Sequence, residues 1–178
     1  MALSREKILS TAFDLLKQYG LADLSMRRLA TELGVAPGSI YYHVKNKQEL
    51  LASLASRMLA DVRCEGATPT AALMAGAREL YRQLAQVHES AEVIRMALAM
   101  HPNELAFFSE SQELFEALSL NAEQGQNASR ALLHLCLSLM EEEQTRALLC
   151  GSAVPEYPPS PYIDAVHALL RGWVPCTS

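Results

Sequence analysis

The chain has 178 residues, a mass of 19.5 kDa and a net charge of −5. Half of its residues are hydrophobic, only 6% are aromatic, and Ala and Leu outnumber the β-branched residues. This composition excludes a strand-rich protein and predicts an all-α fold with a substantial core. The apolar runs are much shorter than the ~18 residues of a membrane span, and the N-terminus lacks the apolar region of a signal peptide. We therefore expect a cytoplasmic protein.

Charge is distributed unevenly along the chain. Residues 1–50 carry seven basic and five acidic side chains, a net charge of +2, which leaves −7 for residues 51–178. A mildly basic N-terminal part on an acidic body is typical of a protein that presents one end to phosphates. The four cysteines form no C-x-x-C pair, so we expect reduced thiols and neither a metal framework nor a cofactor. They are Cys64, Cys136, Cys150 and Cys176.

The first two predicted helices have clear end signals. Ser4 is the expected N-cap of a first helix with one apolar face, and Gly20 is its expected terminator. Ser25 is the expected cap of a second, shorter helix that ends at Leu33, and Gly34 permits a tight turn after it.

A third helix of only two turns is predicted over residues 37–44, because Pro37 is well placed as a first helical residue. Asn46 followed by Glu49 resembles a capping box, which predicts a fourth helix to about Arg63. A fifth helix follows Pro69, where Gly, Thr and Pro interrupt the apolar pattern.

Four more helices complete the prediction. The sixth is expected to be capped by Ser90 and ended by Pro102, and the seventh carries the apolar residues of segment 105–118. The polar segment 121–127 is predicted to separate it from an eighth helix over about 128–149. A proline-rich loop then precedes a ninth helix over about 161–171, which Gly172 should end.

Two short helices joined by a tight turn, the second beginning Pro-Gly-Ser and carrying aromatic residues, predict a DNA-binding helix-turn-helix. The stretch SMRRLATELGVAPGSIYYHVKNKQELL over residues 25–51 closely resembles the DNA-binding domain of the TetR family of transcriptional regulators. The resemblance covers roughly residues 4–51. It implies an N-terminal three-helix DNA-binding domain over residues 1–47 and a larger helical ligand-binding and dimerisation domain over 48–178, with about nine helices in all.

The residue types suit DNA contact on physical grounds. Small residues at the start of the third helix allow close approach to base edges, and Ser39 can hydrogen-bond to any base. Tyr41 and His43 can donate to phosphate, and Lys47 lies in the first turn of the fourth helix, where the helix dipole already favours an anion. The resemblance places at the DNA surface Ser25, Arg27, Pro37, Gly38, Ser39, Tyr41, Tyr42, His43 and Lys47.

Direct base reading by the third helix is expected to be limited, because it contains no Gln, Asn or Arg. Arg27 is therefore the predicted guanine contact, and DNA deformability should supply further specificity. Two side chains leave alternatives open at this point. Tyr42 fits the domain core as well as a phosphate contact, and Arg28 fits a solvated surface charge.

The regulatory half gives weaker signals. The last two long apolar helices are the expected interface of a homodimer, because two recognition helices about one DNA turn apart are needed for tight specific binding. The alternative is that their apolar residues form the core of one chain. The predicted interface residues are Leu132, Leu135, Leu139, Ile163, Val166, Leu169 and Leu170.

Flexible apolar side chains between the fourth and eighth helices predict a cavity for a small, mostly apolar ligand, with two histidines as possible polar anchors. The predicted lining is Met58, Met74, Tyr81, Met96, Met100, His101, Phe108, Phe115, His134 and Met140. The run Glu141–Glu143 spans too much of a helix circumference to be wholly buried. It is interpreted as a solvated face, with a cation site as the alternative.

These patterns predict a transcriptional repressor that binds a palindromic operator in double-stranded DNA as a homodimer and is released by an unidentified small-molecule effector. Motifs for catalysis, such as G-x-S-x-G, a P-loop or H-E-x-x-H, are missing from the sequence, so no enzyme is expected. The alternative is a DNA-binding regulator controlled by a partner protein.

Overall fold

The computed structural model describes residues 3–173, and within that range the chain is all-helical, as predicted. An N-terminal helix-turn-helix part precedes a larger helical part, and a single 3₁₀ turn lies at Pro102–Glu104. The helices are α1 Arg5–Asp23, α2 Met26–Leu33, α3 Pro37–Tyr41, α4 Lys47–Met58, α5 Pro69–Ala85, α6 Ser90–Met100, α7 Ala106–Ala117, α8 Ala122–Cys150 and α9 Ser160–Trp173.

Side-chain caps define the first helices as the sequence predicts. The hydroxyl of Ser4 accepts a hydrogen bond from the Lys7 amide at 3.2 Å, and that of Ser25 accepts from the Arg28 amide at 3.1 Å. At the other end of α2, Gly34 has a φ of 66°, which only glycine adopts readily.

Gly20 interrupts α1 with a kink, but the prediction that it ends the helix is wrong, because α1 continues to Asp23. The Gly20 φ of 77° and ψ of 178° lie outside the helical region. The kink turns the chain so that Leu24, just beyond the helix, is completely buried.

Two helices end earlier than predicted. In α3 the carbonyl of Ile40 accepts from the amides of both His43 and Val44, at 2.9 Å each, and the helix tightens into a turn after Tyr41. In α4 the helix ends at Met58 and not near Arg63. The Arg63 guanidinium instead donates to carbonyls of the segment that follows the helix, at 2.6 and 2.9 Å.

Two predictions about helix starts were wrong. Ser90 is not the N-cap of α6: it is the first helical residue, and its buried hydroxyl donates to the carbonyl of Leu84 at 2.9 Å. Segment 121–127 is not a linker, because Asn121 forms a capping box with Gln124 and α8 begins at once. Gly125 is buried there because α7 passes close by, so that an added Cβ would lie 3.0 Å from the side chain of Glu116.

One connected hydrophobic core extends from α1 to α9. The last helix is anchored in it by Tyr162, whose hydroxyl donates to the carbonyl of Ala77 on α5 at 2.7 Å. Contrary to prediction, Gly172 does not end α9, which continues to Trp173. The predicted domain boundary at residues 47 and 48 falls in the first turn of α4 and stays a prediction. Across the described part of the chain, every helix is too short or too polar to cross a membrane.

Candidate DNA-binding surface

Two arginines lie near the junction of α1 and α2, and they differ in their contacts. The guanidinium of Arg28 lies 3.9 Å from the ring centre of Tyr19 and donates to Asp23 at 2.8 Å. Arg28 is a surface charge, in agreement with the interpretation from the sequence, but it is held against its own domain by Tyr19 and Asp23. Arg27, one position earlier, is exposed.

The turn between α2 and α3 is closed by backbone hydrogen bonds. The amide of Gly34 donates to the carbonyl of Thr31 at 3.1 Å, and that of Val35 donates to the carbonyl of Ala30 at 3.0 Å. Pro37 then occupies the first position of α3, where its missing N–H removes no helical hydrogen bond.

A single residue of α3 anchors the helix in the core. Ile40 is completely buried, whereas Pro37, Gly38 and Ser39 are exposed before it. The side chain of Tyr42 is 90% exposed, so its interpretation as a core residue is wrong. Of the other predicted DNA contacts in this segment, Tyr41 is exposed and His43 is half-buried.

Lys47 joins the start of α4 to the end of α1. Its Nζ donates to the carbonyl of Leu21 at 3.3 Å, and the side chain is half-buried. An ammonium group has three donors, so two remain for an anion. Next to it, Asn46 accepts from the amide of Glu49 at 2.8 Å and caps the helix as predicted. The other half of the predicted capping box is not formed, because the Glu49 carboxylate pairs with His101. Seven of the nine predicted DNA contacts are exposed, all except His43 and Lys47, and their roles stay predictions.

The predicted ligand pocket is packed with its own side chains. Six of its ten residues belong to the hydrophobic core: Met58, Met74, Tyr81, Phe108, Phe115 and Met140. Met96 is half-buried, and none of the ten lines any of five well-formed surface cavities in residues 3–173. A ligand at this place would therefore have to displace packed side chains.

Three predicted pocket residues lie elsewhere. Met100 is 39% exposed, and His134 is exposed on α8, so neither lines the interior. Desolvation and the nearby charges of Arg130 and Arg95 lower the pKa of His134. His101 bridges two helices, because its Nε2 lies 3.3 Å from a carboxylate oxygen of Glu49 on α4.

The predicted interface residues divide into two groups. Leu132, Val166 and Leu170 are buried within one chain, so for these three the core interpretation is right. The other four are half-buried at the surface of α8 and α9: Leu135, Leu139, Ile163 and Leu169.

The acidic run on α8 is paired with arginines. Glu141 lies 2.5 Å from Arg95 on α6, and Glu142 and Glu143 lie 2.8 and 2.7 Å from Arg146. The side chain of Glu143 is only 13% exposed, so the run is not a uniformly solvated face.

Polar groups are also buried where α5, α8 and α9 meet. The rings of Tyr81 and Tyr162 meet edge to face with centres 5.0 Å apart. Burial raises the pKa of the Cys136 thiol to about 12 and that of Tyr162 well above its usual value. Cys64 and Cys150 are also free thiols, and Cys176 lies outside the described residues.

These buried acids predict a loss of stability at high pH. The folded chain keeps protons that the unfolded chain releases above pH 9, so the free energy of unfolding should fall as pH rises from about 9 towards 12. The slope is at most about 1.4 kcal/mol per pH unit for each group. Urea unfolding between pH 8 and 10.5 measures it, with Cys136→Ala as a control that should make the decline shallower. A constant free energy over this range would contradict the prediction.

Sequence reasoning missed two residues that shape this part of the molecule. Tyr19 supports Arg28 from the preceding helix, and Glu89 binds the amide of Leu21 at 2.5 Å across 68 residues of sequence. The spacing of apolar residues along the sequence predicts neither the contact of Tyr19 with Arg28 nor that of Glu89 with Leu21. The left-handed backbone of Glu89, with a φ of 57°, became visible only in the structure.

A family model described as bacterial regulatory proteins of the tetR family matches residues 8–54. The class D tetracycline repressor of Escherichia coli is 29% identical over 163 residues, which cover 86% of this chain and 73% of that protein. The class C repressor of Escherichia coli is 47% identical over 57 residues, which cover 32% of this chain and 26% of that protein.

Solved structures match almost the whole chain. BioQ in complex with its double-stranded DNA operator has a TM-score of 0.83 at 25% identity and covers 98% of this chain and 99% of its own. ActR from Streptomyces coelicolor, in complex with (S)-DNPA, has a TM-score of 0.82 and covers 98% of each chain. At 19% identity that second likeness shows the fold.

Proposed function

Because the chain belongs to the tetR family of bacterial regulatory proteins and is a DNA-binding transcriptional regulator, not an enzyme, we propose that it is a cytoplasmic repressor that binds a palindromic operator as a homodimer. The observation that carries this proposal is the exposed face of α3. Ile40 holds the helix in the core, while Ser39 and Tyr41 on the helix and Tyr42 just beyond it are exposed. A short helix with exposed polar and aromatic groups suits insertion into a major groove.

In the proposed complex, base reading and phosphate binding are separate tasks. Arg27 and Ser39 reach base edges, and the aromatic side chains of Tyr41 and Tyr42 pack against sugars and thymine methyls or donate to phosphates. Lys47 supplies a charge at the first turn of α4. The basic excess of residues 1–50 supports this orientation, because the acidic remainder of the chain is repelled by DNA.

The homodimer uses the outer faces of α8 and α9. Leu135 and Leu139 on α8 and Ile163 and Leu169 on α9 leave apolar surface half-exposed. Two copies of this surface bring four helices together across a two-fold axis. The opposite faces of the same helices are buried in their own chain, which supports a rigid dimer platform.

The proposed effector is a small, mostly apolar molecule that enters between α4 and α8. Tyr81, on α5 beside α8 and α9, would lie at the inner end of this site, because its hydroxyl is buried without a hydrogen-bond partner among the described residues and can donate to a ligand. Met58 and Met74 belong to the same hydrophobic core, and their flexible side chains can adapt to a ligand. A ligand that favours a dimer with separated recognition helices lowers operator affinity by its differential affinity for the two states.

Control by a partner protein is the second candidate. The observation that favours it is a pair of large apolar side chains near the end of α8, where Leu148 and Leu149 are 81% and 80% exposed. A protein that covered them would remove apolar area from water.

Selection of bound DNA from random sequence tests the proposed function. We expect a palindromic site whose affinity falls in Lys47→Ala and Tyr41→Ala variants at low salt. No enriched site, or an affinity unaffected by both substitutions, would contradict the assignment. Effector control is tested separately. Small molecules that bind the free protein are added to the protein–operator complex, and operator affinity is measured with and without them. If these molecules bind the protein but leave operator affinity unchanged, the proposed control by a small-molecule effector is overturned.

A further inference from the structure

The corner between α5 and α6 reaches the DNA-binding half of the chain. A carboxylate oxygen of Glu89 accepts a hydrogen bond from the amide of Leu21 at 2.5 Å. Gly20, just before it, has a φ of 77°, and an added Cβ there would lie 2.6 Å from the same oxygen. The backbone at the end of α1 is therefore shaped around this carboxylate.

Leu21 is held at its other polar group by Lys47. The amide of Leu21 binds Glu89, and its carbonyl accepts from the Lys47 ammonium at 3.3 Å. One residue thus connects the α5–α6 corner with the first residue of α4. A shift of Leu21 would change the direction of the Lys47 ammonium.

Glu89 itself adopts a backbone conformation that is uncommon for a side-chain-bearing residue. Its φ of 57° lies in the left-handed region, which is unfavourable for residues other than glycine. It occupies the N-cap position of α6, yet its side chain does not cap that helix. Instead the carboxylate bonds to the end of α1.

The corner is also fixed to α8. The side-chain amide of Gln144 donates to the carbonyls of Leu84 and Val87 at 3.3 and 2.9 Å, and to the hydroxyl of Ser90 at 3.2 Å. Gln144 thus holds the chain on both sides of Glu89, and Glu89 in turn holds Leu21, whose carbonyl binds Lys47. Such a path carries a movement of α8 to the start of α4 if its groups act as a unit.

From this geometry we infer that Glu89 is a positioning residue for DNA binding. By holding Leu21 it orients the Lys47 ammonium towards a phosphate, and it makes that orientation depend on the placement of the α5–α6 corner against α8. The inference rests on the proposed function, in which Lys47 binds a DNA phosphate.

The test measures operator affinity by fluorescence anisotropy at several salt concentrations, using the site selected from random DNA. Glu89→Ala is expected to weaken binding about five- to tenfold. It should also reduce the slope of log affinity against log salt by about 0.9, as for one lost phosphate contact. Glu92→Ala, which removes an exposed carboxylate one turn along α6, is the matched control and should leave both values unchanged.

Two further variants separate hydrogen bonding from charge. Glu89→Gln keeps an acceptor of the same reach and should retain affinity, whereas Glu89→Asp keeps the charge but is shorter and should behave as Glu89→Ala does. In a Lys47→Ala background, Glu89→Ala should have no further effect. Amide hydrogen exchange at Leu21 should accelerate in Glu89→Ala and not in Glu92→Ala.

The outcomes distinguish this inference from the proposed function. If Lys47→Ala weakens binding but Glu89→Ala does not, or if the two effects simply add, the positioning role is overturned and the DNA-binding assignment stands. If Lys47→Ala leaves affinity unchanged, its phosphate contact is overturned, and the positioning role fails with it. Exchange at Leu21 then still reports whether Glu89 protects that amide.

Discussion

Replacing Leu139 on α8 with Glu is expected to separate the dimer and to lower operator affinity at least about 100-fold. Leu139 is half-buried in the single chain, so a carboxylate there remains hydrated while the chain folds. In the dimer the same carboxylate would be enclosed against apolar side chains without a partner, at a cost of several kcal/mol. A single recognition helix retains only weak, salt-sensitive binding.

Light scattering after size exclusion measures the mass of the variant, and anisotropy with the full palindrome and with a half-site measures its affinity. The matched control is Leu114→Glu, which places the same charge at a half-buried leucine on α7, outside the proposed interface. It should remain dimeric. A Leu139→Glu variant that is monomeric yet binds the palindrome as tightly as the original chain would contradict the need for a dimer.

Tyr42→Ala is expected to weaken operator binding by about 10- to 100-fold, because a well-placed contact to DNA contributes about 1–3 kcal/mol. The side chain is 90% exposed, so its removal should change the free energy of unfolding by less than about 0.5 kcal/mol. The effect therefore separates DNA contact from stability.

Tyr157→Ala provides the control for this variant. Tyr157 is 64% exposed in the segment before α9 and lies 5.8 Å from the guanidinium of Arg82, remote from α3 in the chain. Anisotropy and thermal unfolding are measured for both variants. Equal operator affinities in the Tyr42 and Tyr157 variants would show that Tyr42 does not contact DNA.

The helix-turn-helix could be predicted well because its signals are local. Ser25 caps α2 through an amide three residues away, and Gly34 ends it through its own left-handed backbone. Such features depend on neighbouring residues alone. The exposure of the Tyr42 side chain could not be predicted in the same way. A helix of five residues is too short for the spacing of its apolar residues to identify a buried face.

Errors in the regulatory half have tertiary causes. Segment 121–127 has the composition of a loop, but the close passage of α7 at Gly125 makes it the start of α8. The apolar spacing on α8 and α9 predicted both Leu132 and Leu139 as interface residues, although Leu132 is buried within one chain and Leu139 is half-buried. Apolar spacing alone does not distinguish the core of one chain from an interface between two chains. The contact between Glu89 and Leu21 joins residues 68 apart and has no local signal.

The anchoring of α3 by Ile40 alone has a consequence for how this kind of regulator diversifies. Because Gly38, Ser39 and Tyr42 are exposed, they can be exchanged without disturbing the packing that keeps the domain folded. Operator preference and thermal stability are then nearly independent traits. A library that varies these positions around an unchanged isoleucine should yield many folded variants with new DNA targets, and duplicated copies of such a gene could acquire separate operators in few steps.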